Sequence, residues 1–264
     1  MASRPAISVA AEQRPAVATQ LATAVAEWVT QTLEAYSYHS ALKVRAPKLI
    51  RDGLWDSHLF QPFEVHVLDS PILQRLRWVS QTALTQFVYP SATHTRFQHT
   101  LGTVIVLDRL LAAVTAKLPV DERELLDPSL VRHLRLAALL HDVGHGVFSH
   151  ASESYYGQDP GLQWWRSHLR KRGGSAKAHE VLSYLIVTSE PFRDFMDEVM
   201  AKYDVPVLDL QHVGDMIVGC STTPLNDYMR DLINGVFDVD KLDYISRDAY
   251  STGIKMVLDL DRLA

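Results

Sequence analysis

The 264-residue sequence has little cysteine, no long apolar run and no excess of basic residues, and each shortage excludes a class of protein. Its only cysteine is Cys220, so the chain can form neither an internal disulfide nor a thiolate zinc site. No apolar run approaches the roughly 20 residues that a membrane-spanning helix needs. The net charge of −5 excludes a basic, nucleic-acid-binding character for the chain as a whole.

The start of the sequence also lacks the charged residues and apolar block of a secretory signal. We therefore expect 1–16 to be a disordered lead-in, and the protein to be cytoplasmic, with no membrane partner. An apolar share of 47% with a charged share of 22% is typical of a globular protein. A chain of this length can bury a substantial core.

Apolar residues recur at helical intervals along most of the chain. An amphipathic helix is predicted within 17–46, where it either packs on the main body or forms an arm for dimerisation. Further helices are predicted at 71–84, 101–118, 128–142, 179–202, 207–219, 225–234 and 239–250. No set of strands is adequate for a sheet, so the expected fold is an all-α single domain.

Residues 157–178 differ from their surroundings, with two tryptophans, five basic residues and one acid between glycines. This composition predicts a mobile loop or lid. Aromatic stacking combined with positive charge suits single strands, so the segment leaves nucleic acid open as a partner.

The stretch LLHDVGHGVFSH, residues 139–150, concentrates metal-binding and proton-transfer groups. His141 and Asp142 are adjacent at the end of a predicted buried helix, where both side chains can point at one ion. Imidazole with carboxylate suits Zn, Fe, Mn or Ni. Two ligands do not complete a site, and His99 and Asp240 are candidates for the others.

A second pattern lies in the last predicted helix. Asp240, Tyr244 and Asp248 follow one another at i, i+4 and i+8, so they share one helix face. Two carboxylates and a phenol on one face make a poor core and a good pocket wall. For Asp243 and Arg247, a solvated helix face is a plausible interpretation.

Five motifs, in order between about residues 48 and 254, closely resemble the deoxynucleoside triphosphate triphosphohydrolases among the HD-domain metal-dependent phosphohydrolases, including their SAM-and-HD-domain branch. They read DSPILQRLRWVSQ, YPSATHTRFQHTLG, LLHDVGHGVFSH, AHE and DVDKLDYISRDAY. The resemblance implies an HD-domain helical bundle over 47–264 with a metal site at its centre. It also implies hydrolysis of deoxynucleoside triphosphates (dNTPs) to deoxynucleoside and inorganic triphosphate.

The resemblance further implies a role for individual residues. One divalent transition metal, Fe, Mn, Zn or Ni, would be held by His99, His141, Asp142 and Asp240. Mg²⁺ would be a further candidate, bound with the substrate triphosphate. The catalytic residues would be His145, His150 and Glu153. His150 is expected to protonate the leaving oxygen. Glu153, where the family usually has Asp, is expected to orient the His150 imidazole.

The substrate contacts implied by the resemblance fall into two groups. Arg96, His145, His179 and Lys241 would contact the triphosphate. Gln81, Tyr244 and Asp248 would hold the deoxyribose, with the tyrosine ring leaving no room for a 2′ hydroxyl. In some family members, an activating guanine nucleotide binds at positions that match Lys48, Asp69, Gln74 and Arg77.

Related enzymes generally continue through a further helical lobe, so we expect that lobe to be absent here, in a minimal member or a fragment. A homo-oligomer is expected. Two alternatives stay open at the level of sequence. The same metal site could act on another nucleotide, a nucleotide messenger or single-stranded nucleic acid, or the chain could be a non-catalytic nucleotide-sensing module.

Overall fold

The computed structural model describes residues 14–37, 46–119, 127–220 and 227–256. The first half contains helix α1 (Ala16–Ser37), strands β1 (Lys48–Asp52) and β2 (Asp56–Phe60), and helices α2 (Pro62–Leu68), α3 (Pro71–Gln74) and α4 (Arg96–Lys117). The second half contains α5 (Pro128–Leu140), α6 (His150–Tyr156), α7 (Pro160–Lys171), α8 (Ala178–Val187), α9 (Glu190–Tyr203), α10 (Leu210–Ile217), α11 (Asp227–Asn234) and α12 (Val239–Thr252). The all-α prediction is confirmed, because the antiparallel β1–β2 hairpin is the only sheet in these ranges.

The centre of the fold is α4, which packs against both α5 and α12. By length and composition it is the one described helix that could cross a membrane, but 61% of its apolar window is buried inside the fold. Polar side chains of α4, among them Arg96 and His99, are buried with it. We therefore interpret α4 as the core helix that carries part of the site.

Side-chain capping sets the position at which α4 begins. Thr95 is the N-cap residue, and its hydroxyl accepts from the backbone N–H of Gln98 at 3.5 Å. In return, the Gln98 side chain accepts from the backbone N–H of Thr95 at 2.8 Å. This reciprocal cap places Arg96 and His99 in the first turn, facing the interior.

Helix α1 lies against α7, α8 and α9. Its Val29 and Leu33 are buried in the common core, and Trp165 of α7 donates its indole N–H to the carbonyl of Ala18 at 3.2 Å. The predicted lead-in falls almost wholly outside the described residues. The predicted domain boundaries therefore stay predictions.

The prediction of a mobile loop over 157–178 is wrong, because most of that segment is helix α7. Asp159 caps it by accepting from the backbone N–H of Leu162 at 2.9 Å, and Pro160 occupies its first turn. Leu162, Trp165 and Leu169 then repeat at helical spacing and are buried. Since Trp165 is in the core, the stacking surface that suggested single-stranded nucleic acid loses one of its two tryptophans.

Two predicted helices are shorter than expected. Over 71–84, regular helix ends at Gln74 and a 3₁₀ turn at Arg75–Trp78 follows, after which Ser80 pairs with Thr95 in an isolated bridge. Over 179–202, the predicted single helix is divided into α8 and α9. Ser189 caps α9 and Pro191 occupies its first turn, so the helix cannot continue from α8 into α9.

Candidate active site

The four predicted metal ligands meet at one point between α4, the end of α5 and the start of α12. Nε2 of His99 lies 3.2 Å from Nε2 of His141 and 2.9 Å from Oδ1 of Asp240. Asp142 lies alongside, with Oδ2 3.7 Å from Nε2 of His99 and Oδ1 3.5 Å from Nε2 of His141. The sequence placed these residues in three separate motifs, and the fold brings all four together.

Hydrogen bonds on the far side of each imidazole orient both candidate ligands. Nδ1 of His99 lies 2.7 Å from a carboxylate oxygen of Asp243, and Nδ1 of His141 lies 2.8 Å from the carbonyl oxygen of Ala138. Both contacts favour a proton on Nδ1 and leave the Nε2 lone pair for a metal. A carboxylate or carbonyl in this position is a usual feature of histidine metal sites.

Asp243 is a site residue that the sequence interpretation missed. It is fully buried, and besides His99 it accepts hydrogen bonds from Trp55 and from Nε and Nη2 of Arg247. Arg247 in turn donates to Asp52 at 3.0 Å. A solvated face for Asp243 and Arg247 is therefore wrong, because their charges are paired in the interior and hold His99 in place.

The charge of the donor set fits a divalent cation. Burial lowers the pKa of His99, but the hydrogen bonds with Asp240 and Asp243 outweigh it and raise that pKa to about 10. The carboxylates thus dominate the site and attract positive charge. His99, His141 and Asp142 offer ligand atoms within 4.8 Å of one another, and imidazole with carboxylate suits divalent transition metals.

The turn after α5 is held close to α8. The hydroxyl of Ser183 donates to the carbonyl of His141 at 2.6 Å and accepts from the backbone N–H of Gly144 at 2.8 Å. A Cβ at Gly144 would lie 2.1 Å from the carbonyl oxygen of His179. Glycine is required at this position for the His141–Asp142 pair to approach α8 as closely as it does.

Gly102 allows a similarly close approach of α4 to α12, and its replacement is a test of that packing. A Cβ there would lie 1.9 Å from Oδ1 of Asp243 and 2.1 Å from Nη2 of Arg247. In an ordinary helix Gly→Ala stabilises by about 1 kcal/mol. We expect Gly102→Ala instead to lower the free energy of unfolding by roughly 2–4 kcal/mol, because it disrupts a buried ion pair.

Denaturant unfolding measures this effect. Gly53→Ala is the matched control, since a Cβ at Gly53 would meet nothing within 4 Å. Equal stability of the two variants would contradict the close packing of α4 on α12.

Three histidines and a glutamate form a second group beside the candidate metal site. Glu153 bridges two of them, with one oxygen 2.8 Å from Nδ1 of His150 and the other 2.6 Å from Nδ1 of His179. The backbone N–H of His179 also donates to Glu153 at 3.1 Å. Burial raises the pKa of Glu153, but the two histidines outweigh it and hold that pKa well below its usual range.

His145 completes this group in a different way. Its ring stacks on that of His179 with centroids 3.7 Å apart and an angle of 20° between the planes. Burial holds the pKa of His145 well below its usual value, and the neighbouring His179 lowers it further. Nitrogens of His145, His150 and His179 also lie within 4.8 Å of one another. This trio contains no carboxylate, whereas the first set combines imidazole with carboxylate, so the first set is the better candidate for a divalent transition metal.

Most of the predicted substrate contacts line one cleft of about 430 Å³ that opens on the candidate metal site. It is lined by Gln81, Arg96, Asp142, His150, His179, Asp240, Tyr244 and Asp248, together with Thr82, Ala83, Thr85, Ser149 and Lys177. The carboxylate of Asp248 lies 2.6 Å from Nε2 of His94, within hydrogen-bond distance. The cleft therefore brings together some of the residues predicted for the sugar, the phosphates and the metal, whereas His99, His141, His145 and Lys241 do not line it.

Two predicted phosphate contacts already have partners. Nη1 of Arg96 donates to Asp142 at 2.5 Å, and its Nε donates to the hydroxyl of Ser149 at 2.9 Å. Lys241 lines a neighbouring cleft of about 450 Å³ on the other side of Asp240. Its ammonium donates to the carboxylate of Asp238 and, at 2.7 Å, to the carbonyl of Gly235.

The positions that match the activator contacts are only partly brought together. Nε of Arg77 donates to the Gln74 side chain at 2.7 Å, and the guanidinium lies 3.7 Å from the centroid of the Phe97 ring. Gln74 donates to the carbonyl of Leu68. These contacts stabilise the turn after α3, and a nucleotide role for Lys48, Asp69, Gln74 and Arg77 stays a prediction.

Comparison with known proteins assigns the family. The HD domain matches residues 96–248 of the chain. The chain belongs to the HD-domain family. Mouse deoxynucleoside triphosphate triphosphohydrolase SAMHD1 is 28% identical over 87% of this chain and 35% of its own length. The Dictyostelium discoideum SAMHD1 homolog is 30% identical over 83% of this chain and 39% of its own length. The uncharacterized protein MJ1154 of Methanocaldococcus jannaschii is 29% identical over 82% of this chain and 37% of its own length.

The chain thus spans between 35% and 39% of the length of these three relatives. The predicted resemblance to dNTP triphosphohydrolases and membership of the HD-domain family are confirmed. The HD-domain match begins at Arg96 and ends at Asp248, so it contains all the predicted catalytic, metal-ligating and substrate-binding residues except Gln81.

Proposed function

We propose that this HD domain hydrolyses dNTPs to deoxynucleoside and inorganic triphosphate. The observation that carries the proposal is the shared cleft, in which Asp142 and Asp240 lie beside Tyr244 and Asp248. A metal site alone would serve many phosphate esters, whereas a carboxylate and a phenol next to it provide a wall for a sugar. The names of the mouse and Dictyostelium relatives agree with this substrate.

In the proposed reaction, a water oxygen forms a bond to the α-phosphorus while the bond from that phosphorus to the nucleoside 5′ oxygen breaks. The departing 5′ oxygen takes a proton from His150, and the proton that the attacking water loses passes to solvent, from which His150 is reprotonated. Glu153 accepts from Nδ1 of His150 at 2.8 Å, which fixes the ring and leaves Nε2 to deliver the proton. Histidine is the side chain that most often serves as a general acid.

His99, His141, Asp142 and Asp240 would hold the divalent metal of this reaction, which we propose is Fe, Mn, Zn or Ni, with Mg²⁺ a candidate for the substrate triphosphate. When bound, such an ion supplies Lewis acidity that activates water and offsets charge on the phosphate. The protein's part is to orient the two imidazoles through Asp243 and the carbonyl of Ala138.

Product analysis tests the proposal directly. Metal-loaded protein is incubated with each of the four dNTPs, and the products are separated by anion-exchange chromatography. We expect deoxynucleoside and intact triphosphate in equal amounts. Release of pyrophosphate with a deoxynucleoside monophosphate, or of orthophosphate, would contradict attack at the α-phosphorus with loss of the 5′ oxygen.

Tyr244 is expected to discriminate between deoxyribose and ribose. It lies in the same cleft as Asp248, one helical turn away on the same face of α12. Tyr244→Ala removes the ring that would exclude a 2′ hydroxyl, so the ratio of dNTP to ribonucleotide kcat/KM should fall by roughly 10- to 100-fold. Competition assays with dATP and ATP measure it, and Tyr244→Phe should keep the wild-type ratio. An unchanged ratio in Tyr244→Ala would place the sugar elsewhere.

A homo-oligomer and a cytoplasmic location are further parts of the proposal. Trp78, Phe87 and Val88 are between 76% and 88% exposed within one short segment. Large apolar side chains in such numbers favour a contact between copies of the chain. Sedimentation or light scattering, comparing the oligomeric state of the wild type with that of Trp78→Lys, would test that contact.

The presence of only one cysteine supports a reducing compartment, in agreement with the proposed cytoplasmic location.

A further inference from the structure

The charges of the main cleft do not match the ligand that the proposed function requires. A triphosphate is strongly anionic, yet the cleft presents three carboxylates, from Asp142, Asp240 and Asp248. Within the described residues, its only permanently cationic side chains are Arg96 and Lys177. Arg96 already donates to Asp142 and Ser149. Its charge is therefore largely compensated before a ligand arrives.

We infer that Lys177, which neither the sequence motifs nor the family resemblance singled out, is a further substrate-binding residue that contacts the phosphates. The inference rests on the proposed function, since it names the cation that this site would use. Lys177 lines the main cleft and the neighbouring cleft, and among the described residues Asp240 is the only other one that lines both. A phosphate chain that passes Asp240 into either cleft would therefore meet the ammonium group of Lys177.

The backbone at Lys177 is fixed, whereas its ammonium group is not. The backbone N–H of Ser175 donates to the carbonyl of Val218 at 3.2 Å, and Nε of Arg166 donates to the carbonyl of Ala176 at 3.2 Å. The backbone N–H of Lys177 donates to the Glu180 carboxylate at 2.8 Å. These bonds hold the residue at the N-terminus of α8, two positions before His179.

The ammonium group of Lys177 has only a weak partner within the protein. Its Nζ lies 4.0 Å from Oε1 of Glu180, beyond hydrogen-bond distance, and the side chain is 58% exposed. An ion pair of this kind contributes little to stability. Lys177 can therefore turn toward a bound phosphate without losing a strong contact.

Lys241, the lysine predicted for the triphosphate, is in the opposite situation. Its ammonium donates to the buried carboxylate of Asp238 and to the carbonyl of Gly235. Asp238 also accepts from the backbone N–H of Lys241 at 2.8 Å and caps α12. Moving Lys241 to a ligand would leave a buried carboxylate without its cation, which is costly. Its contacts indicate a structural role at the start of α12.

Binding of inorganic tripolyphosphate separates the two lysines without any need for turnover. Mn²⁺-loaded wild type, Lys177→Ala, Lys177→Arg and Lys241→Ala are titrated calorimetrically with tripolyphosphate. Loss of a charge-assisted hydrogen bond to a phosphate should weaken Kd for Lys177→Ala by roughly 10- to 100-fold. Lys177→Arg should recover most of the affinity. Lys117→Ala, which removes an exposed lysine at the end of α4, is the control for net charge and should bind as wild type.

Steady-state kinetics on a dNTP give a second readout. Lys177→Ala should raise KM by a similar factor and leave metal content unchanged, whereas Lys241→Ala should mainly lower Tm. The inference is overturned if Lys177→Ala binds tripolyphosphate as wild type does while Lys241→Ala does not. A wild type that binds tripolyphosphate through Lys177 but releases other products would overturn the proposed function and leave this inference standing.

Discussion

Asp240→Ala is expected to lose bound metal and hydrolytic activity together. Asp240 supplies one of two carboxylates at the candidate metal site, and its Oδ1 lies 2.9 Å from Nε2 of His99. Without it, two imidazoles and one carboxylate remain, with less negative charge to hold a divalent cation. We expect metal content after gel filtration to fall below about a tenth of wild type, with activity falling at least as far.

Elemental analysis of the purified variant measures the first effect, and release of triphosphate from a dNTP measures the second. Asp197→Ala removes an exposed carboxylate of α9 and should keep both metal and activity. Asp240→Asn keeps an oxygen donor, so its metal content and activity should lie between those of Asp240→Ala and Asp197→Ala. An Asp240→Ala protein that retains full metal would show that the ion is held by other residues.

His150→Ala is expected to separate metal binding from proton transfer. His150 is not among the candidate ligands and is held by Glu153. Metal content should stay near wild type, while kcat falls by roughly 10²–10⁴, the usual contribution of a positioned general acid. The loss should appear in the chemical step, because the proton is needed only as the 5′ oxygen departs.

An activated substrate tests that assignment further. A p-nitrophenyl phosphodiester has a leaving group that needs no proton, so His150→Ala should cleave it at nearly the wild-type rate. If His150→Ala were metal-free, or equally slow on the activated ester, His150 would be a ligand or a phosphate contact. The acid would then have to be another group, and His145, which lies 3.4 Å from Asp142, would be a poor proton donor because burial lowers its pKa.

The parts of the site that could be predicted from sequence depend on local geometry. Three and four residues along a helix return to the same face, so Asp240, Tyr244 and Asp248 could be grouped without a structure. The same holds for His150 and Glu153, which are neighbours in the first turn of α6. That the metal ligands converge could be predicted only from the family resemblance, because no local spacing relates His99 to His141.

The parts that were missed depend on contacts between distant segments. Asp243 pairs with His99, 144 residues away, and Glu153 pairs with His179, 26 residues away. An Asp and an Arg at i and i+4 look the same in sequence whether they face water or the interior. The error at 157–178 has a different cause. Its basic residues and glycines are typical of an exposed loop, although the helical spacing of Leu162, Trp165 and Leu169 was also present in the sequence.

Helix α12 carries a candidate metal ligand, the carboxylate that orients His99, and two of the three residues predicted to hold the sugar. Asp240 and Asp248 are about 12 Å apart along its axis at 1.5 Å per residue. The buried contacts of Asp243 with His99 on α4 and of Arg247 with Asp52 on β1 resist both rotation and sliding of this helix. If the proposed sugar contacts hold, exchanging single side chains at positions 244 and 248 should alter the choice of sugar. Shifting the helix to widen the cleft should also disrupt the candidate metal site.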